Sequence, residues 1–160
     1  MVGRASAAYL SGPRARLGVD PEAPAGARTM RPTTLIALGA SLCGLAVVLG
    51  AFGAHALKES LEASGQLANW HTAVRYQVWH GLALILCGAL APRVRVGRAI
   101  GICFCAGALL FSGSIYGLAL GGPGAVLGPI TPLGGLLLIV GWALLASSAL
   151  RAPHESPANR

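Results

Sequence analysis

Three stretches of this sequence are long enough to cross a membrane as helices and contain no charged residue. They cover residues 33–54, 99–120 and 132–150. At 1.5 Å per residue, each of the first two would extend about 33 Å, enough to cross a hydrocarbon core about 30 Å thick. A buried helix of a water-soluble protein rarely stays uncharged for so long. We therefore expect an all-α, integral membrane protein.

A fourth candidate span is weaker, because polar residues enter its first turns. Residues 76–91 are uncharged, but a helix long enough to cross must begin near Asn69 and carry Arg75 within it. Asn69 is a residue type that caps helix N-termini. A re-entrant segment is the alternative, but an odd number of crossings would place the arginine-bearing ends on opposite sides. We therefore predict a full span over 70–91.

Charge is scarce, and most of it is arginine placed between the apolar stretches. Only 11% of the residues are charged, against about 25% in a typical domain, while 54% are hydrophobic and the formal net charge is +7. A net positive charge indicates nucleic-acid binding only when the cations share a solvated face. Here they flank apolar runs, so we expect no nucleic-acid partner.

The arginines alternate between the loops in a pattern that predicts topology. Five precede the first span, three lie between the second and third, and two follow the fourth. The segment between the third and fourth spans has no charge, and the one between the first and second has Lys58, Glu59 and Glu62. Because Lys and Arg accumulate on the cytoplasmic side, we expect a four-helix bundle with both termini inside (N-in/C-in) in the plasma membrane of a bacterium, its inner membrane.

The chain divides into a transmembrane domain, residues 30–152, and two tails. Residues 1–29 lack periodicity and read as a disordered basic tail or as a mis-assigned start, with translation beginning at Met30. Residues 153–160 are expected to form a short cytoplasmic tail. Before the last span, Pro129 and Pro132 disfavour helix at the residues that precede them. We predict a turn region over 121–131, with Thr131 as N-cap and Pro132 as the first helical residue.

Small residues recur along the spans and predict where helices pack, because lipid-embedded helices associate through close backbone approach. The pattern is compatible both with packing inside one bundle and with a homo-oligomer. The predicted packing residues are Gly44, Ala51, Ser112, Gly134 and Gly141.

One group of polar residues is a candidate ligand site, because ionisable groups at membrane depth are costly and are functional candidates by default. It comprises His55, His71, Arg75, Tyr76 and His80, with His80 expected near one membrane edge. The group could bind an anion such as a lipid phosphate, a quinone-like headgroup or a carboxylate. Alternatively, His55 and His80 could hold a haem or metal. In a third interpretation, Arg75 pairs with Glu59 or Glu62 at the outer surface, and the histidines form hydrogen bonds to neighbouring helices.

Four blocks, taken in order, resemble one known family. Their sequences are GAFGAHALKESL (50–61), WHTAVRYQVWHGLAL (70–84), FSGSIYGLAL (111–120) and LGPITPLGGLLLIVGWALL (127–145). Together they are similar to the family called domain of unknown function 423, the small YgdD-like inner-membrane proteins, over about residues 33–150. The resemblance implies a four-span inner-membrane protein and supplies no reaction.

No catalytic set emerges from the sequence. No Asp or Glu lies within a span, and no serine–histidine–acid order is present. The four cysteines lie inside apolar stretches without a CxxC pattern, so we predict no metal site and no cofactor. We expect a non-enzymatic accessory or lipid-interacting protein whose partners are membrane lipids and further copies of itself. The alternatives are a small oligomeric transporter and a haem- or quinone-binding redox subunit.

Overall fold

The structure, a computed structural model, describes residues 29–151 and builds them almost entirely from helices. Four helices in this part of the chain are long and apolar enough to cross a membrane, and no strand forms there beyond an isolated bridge between Thr29 and Gly97. The predicted all-α membrane fold is confirmed. The tails fall outside the described residues, apart from Thr29. The helices are α1 (Pro32–Ala54), α2 (Lys58–Ala63), α3 (Leu67–Leu90), α4 (Arg98–Ala119) and α5 (Gly124–Leu150).

The four long helices pack in the order α1, α3, α4, α5, each against the next along the chain. The inner helices α3 and α4 therefore have two neighbours, and 44% of the most apolar window of each is buried. The outer helices have one principal neighbour, and the corresponding share is 22% in α1 and 17% in α5. The bundle is thus open between α1 and α5, where no extensive contact forms in the described residues.

The contact between α1 and α3 is close because glycines face each other across it. A Cβ at Gly39 would collide with the Gly81 carbonyl and lie 3.0 Å from the backbone nitrogen of Ile85. A Cβ at Gly81 would lie 2.6 Å from the Cys43 sulfur. Without side chains at these two positions the backbones approach closely, which is how helices associate in lipid.

This contact uses a different face of α1 from the predicted one. The buried residues of α1 include Gly39 and Gly53, whereas Gly44 and Ala51 are exposed. A Cβ at Gly44 would meet no described atom of a neighbouring element within 4 Å. Gly44 and Ala51 therefore lie outside the buried face of α1, and contact between copies stays a prediction for them.

Two of the other predicted packing residues, Gly134 and Gly141, lie at the contact between α4 and α5. A Cβ at Gly134 would lie 2.8 Å from Phe111 Cα, and one at Gly141 would lie 2.8 Å from the Phe104 ring. Ser112 instead joins α4 to α3, because its buried hydroxyl donates to the Ala73 carbonyl at 2.9 Å.

Helix α5 begins earlier than predicted, at Gly124 rather than at Pro132, and contains Pro129 and Pro132 in its interior. The prediction considered only the unfavourable effect of proline in an isolated helix. In the structure the first turns of α5 pack on the end of α4, where Leu127 covers Gly117 and Gly122. Thr131 is then a helical residue, and its hydroxyl lies 2.7 Å from that of Ser114 in α4.

The connection between α1 and α3 contains a short helix, α2, that was not predicted. Leu61 on α2 is 1% exposed and packs in a cluster with Trp70 and Ala119 at one end of the bundle. Helix α3 consequently starts at Leu67, so Asn69 is not its N-cap. Its side-chain amide donates to Gln66 Oε1 at 2.8 Å instead.

Candidate functional site

The five predicted ligand residues do not form one cluster. His55 is exposed at the end of α1, and His71 and Arg75 lie on an exposed stripe of α3. His80 is buried, with 5% of its surface exposed, and Tyr76 lies partly buried between the stripe and the core. The structure therefore separates an exposed basic stripe from a buried histidine.

Arg75 has no carboxylate partner among residues 29–151. Its guanidinium donates to the His71 carbonyl at 3.3 Å and to the Thr72 hydroxyl at 3.4 Å, both on its own helix. The one ion pair in the described part of the chain joins Lys58 to Glu62 at 3.9 Å. The alternative in which Arg75 pairs with Glu59 or Glu62 is therefore not formed in this structure, and the guanidinium stays accessible at the surface.

Arg75 lies well inside the end of the bundle. The Trp70 indole donates to the Leu49 carbonyl at 2.9 Å, and the Gln77 amide donates to the Leu42 carbonyl at 2.9 Å. These two bonds place Arg75 beside the stretch of α1 between Leu42 and Leu49, which lies before the end of that helix at Ala54. From the start of α3 to Arg75 is about 12 Å at 1.5 Å per residue. A side chain as long as arginine can extend from that depth toward the headgroups.

Aromatic rings accompany the exposed stripe. Trp79, one turn after Arg75, is 54% exposed, and its ring centroid lies 5.2 Å from that of Tyr76. Tyr76 packs in turn on Phe111 of α4 at 4.5 Å. Tyrosine and tryptophan prefer the border between headgroups and acyl chains, so the stripe combines a cation with rings suited to lipid contact.

His80 is hydrogen-bonded through both ring nitrogens. The Trp142 indole lies 3.2 Å from His80 Nε2, and an indole can only donate. Nε2 therefore accepts, and the proton is carried by Nδ1, which donates to the Tyr76 carbonyl at 2.8 Å. This assigns a neutral imidazole that joins α3 to α5 across the face of Phe104, whose ring centroid is 5.9 Å away.

The position of His80 differs from the predicted one. It lies near the middle of α3, level with Phe104 in α4 and Trp142 in α5, and not near a membrane edge. The expected position at an edge did not follow from the predicted span over 70–91, because His80 falls near the middle of that span as it does in the helix observed from Leu67 to Leu90. A haem or metal on His80 would have to displace Trp142 or the Tyr76 carbonyl, and His55 faces outward elsewhere. Among residues 29–151, no three His, Cys, Asp or Glu side chains group as metal ligands.

Sequence reasoning missed two side chains that shape this region. Gln77 is 4% exposed and joins α3 to α1. Its signal was available, since a polar amide inside a span needs an interhelical partner. Trp142 is 62 positions from its partner His80, and no spacing rule connects residues that far apart.

Comparison with known proteins agrees with this architecture. Residues 49–135 match the profile of a family described as a protein of unknown function, DUF423. The chain belongs to this family. The match covers the end of α1, all of α2 to α4, and the start of α5, so it includes both the arginine stripe and His80.

Relatives of the chain extend the match beyond the family profile. A UPF0382 membrane protein of Staphylococcus haemolyticus is 42% identical over 118 residues, covering 72% of this chain and 94% of the relative. The UPF0382 membrane protein YwdK of Bacillus subtilis is 40% identical, covering 72% and 95%, and one of Schizosaccharomyces pombe is 40% identical, covering 66% and 93%. No solved structure shows a significant match. The chain is a multi-pass membrane protein of an uncharacterised family.

Proposed function

We propose that this chain is a non-enzymatic membrane protein that binds anionic lipid through Arg75 on the exposed stripe of α3. The observation that carries the proposal is an exposed guanidinium, within a spanning helix, that has no carboxylate partner in the described residues. Its two hydrogen bonds are long and stay on its own helix. Guanidinium groups bind phosphate through paired, charge-assisted hydrogen bonds, and His71 lies one turn away toward the headgroups.

Lipid retention measures this function directly. Protein in neutral detergent is offered phosphatidylglycerol or phosphatidylcholine, and the retained lipids are counted by native mass spectrometry. Arg75→Gln should weaken phosphatidylglycerol binding about fivefold, since an arginine near an anionic surface contributes about 1 kcal/mol. Phosphatidylcholine retention should not change. Lys58→Gln is the matched control, because it removes a cation that is already paired with Glu62 at the same end. Equal retention by wild type and Arg75→Gln would exclude the proposed site.

We also propose an N-in/C-in orientation in a bacterial inner membrane. Helices α1 and α4 begin, and α3 and α5 end, at the same end of the bundle, which carries five arginines. The opposite end carries Lys58, Glu59 and Glu62, so the charge asymmetry supports this orientation. A fluorescent protein that matures only in the cytoplasm should fluoresce when fused after Arg160. An active exported phosphatase at the same position would contradict the orientation.

The two other predicted functions have less support. In the described residues no specific observation favours a small oligomeric transporter or a haem- or quinone-binding redox subunit. His80, a buried histidine near the middle of α3, has both ring nitrogens engaged within the protein. It is therefore better suited to joining helices than to passing a proton or binding a cofactor.

A further inference from the structure

The end of the bundle opposite α2 carries a concentrated positive charge. The chain reaches this end three times, before α1, between α3 and α4, and after α5. Within residues 29–151, every charged side chain at this end is a cation, and all of them are exposed. The acidic residues of the described chain, Glu59 and Glu62, lie on α2 at the other end. The arginine end consists of Arg31, Arg93, Arg95, Arg98 and Arg151.

The loop that presents two of these arginines is anchored in the core. Val96 is 2% exposed and packs in the main hydrophobic cluster. The backbone amides of Arg93 and Val94 both donate to the Leu90 carbonyl at 2.8 Å. With Val96 held inside, Arg93 and Arg95 are held outward at the surface. The charge is therefore presented by a fixed loop next to the helix ends.

Helix formation alone does not account for these charges. Arg98 is the first residue of α4 and Arg31 is the N-cap of α1, and neither helix has an acidic residue in its first turn. The N-terminal end of a helix carries partial positive charge, so a cation there is unfavourable. An anion from outside the described chain would relieve this repulsion as well as the repulsion between the arginines.

We propose that the arginine end is a second lipid-binding surface, which holds the phosphate groups of several anionic glycerophospholipids in the leaflet around it. The arginines lie at the ends of spanning helices, where headgroup phosphates are found, and their guanidinium groups suit phosphate geometry. This surface lies at the opposite end of the bundle from Arg75 and does not depend on the function proposed for that residue. The protein would then contact anionic lipid in both leaflets.

The test compares arginine variants in lipid nanodiscs, whose two equivalent leaflets make the orientation of the protein irrelevant. The full chain is reconstituted with phosphatidylcholine and a small fraction of phosphatidylglycerol, and the co-purifying lipids are counted by native mass spectrometry. Arg93→Gln with Arg95→Gln should weaken phosphatidylglycerol binding about 25-fold, because each arginine near an anionic surface contributes about fivefold. Arg75→Gln is the parallel variant, which should remove a different, smaller share of the bound lipid.

Each result of this comparison decides the proposal. Wild-type retention of phosphatidylglycerol in the double variant would overturn it, whatever Arg75→Gln does. An unchanged Arg75→Gln with a depleted double variant would support the arginine end while removing the Arg75 site. Displacement of the bound lipid by millimolar inorganic phosphate would overturn the assignment to lipid and indicate a simple phosphate site. If Arg93→Lys with Arg95→Lys also loses phosphatidylglycerol, recognition depends on the geometry of the guanidinium groups. If this variant retains phosphatidylglycerol, recognition depends on positive charge alone. Both results support an anionic lipid surface.

Discussion

Gly39→Leu is expected to separate α1 from α3, whereas Gly44→Leu on the same helix is expected to leave the fold intact. A Cβ at Gly39 already collides with the Gly81 carbonyl and approaches the Ile85 backbone, so the atoms that would have to move belong to the main chain. At Gly44 an added Cβ would meet no described atom of a neighbouring element within 4 Å. Both variants add the same apolar volume to α1, so the difference between them isolates the helix contact.

The expected loss for Gly39→Leu is about 3 kcal/mol of unfolding free energy, the upper part of the usual range for overpacking. Thermal unfolding in one detergent should show a clearly lower midpoint for Gly39→Leu and a midpoint close to wild type for Gly44→Leu. Gly39→Ala adds only the Cβ and should fall between them. Similar midpoints for Gly39→Leu and wild type would contradict the helix contact described here. A selective loss of oligomers in Gly44→Leu would instead identify that face as a contact between copies.

The packing face of α1 was hard to predict because the helix is apolar all round. A helix that is half buried in protein and half in lipid presents hydrophobic residues to both, so polarity does not orient it. Two small-residue stripes fit its sequence, one through Gly44 and Ala51 and one through Gly39 and Gly53. The choice between them depends on Gly81 in α3, and a stripe on one helix contains no information about its partner.

The spans themselves were predictable because hydrocarbon tolerates few charges and requires a minimum helix length. The helix ends were less so. Pro129 and Pro132 are unfavourable inside an isolated helix, yet α5 continues through both. Contacts of its first turns with α4 offset that cost, and such contacts are a property of the assembled bundle.

The candidate site was predictable only where it stays within one helix. A spacing of four residues puts His71, Arg75 and Trp79 on one face of any helix that contains them, and all three are exposed in α3. The bond between His80 and Trp142 depends on how three helices assemble, so no local pattern predicts it. The same assembly turned His80 from a candidate ligand into a structural link between α3 and α5.

The second substitution with a large expected effect is Gly134→Leu, which should release α5 from α4. A Cβ at Gly134 would collide with the Phe111 backbone nitrogen and lie 2.8 Å from Phe111 Cα and 2.9 Å from the Leu110 carbonyl carbon. These backbone atoms lie inside α4 and cannot move without breaking its hydrogen bonds. Because α5 has no other principal neighbour, moving it away would also break the bond between Trp142 and His80. Gly128→Leu is the matched control, as a Cβ there meets no described neighbour within 4 Å.

A disulfide between α4 and α5 would report this release. The hydroxyls of Ser114 and Thr131 lie 2.7 Å apart, so Ser114→Cys with Thr131→Cys should form a disulfide under mild oxidation, mapped by mass spectrometry. The disulfide should form in the Gly128→Leu background and be lost in the Gly134→Leu background, while Gly134→Ala should reduce its yield. Undiminished cross-linking with Gly134→Leu would mean that α4 and α5 are not held by this glycine contact. Loss of the disulfide in both leucine variants would mean that any added bulk on α5 disturbs the bundle. Polar links such as Ser114–Thr131 and His80–Trp142 could not resist such a disturbance, because each contributes only about 0.6 kcal/mol in lipid.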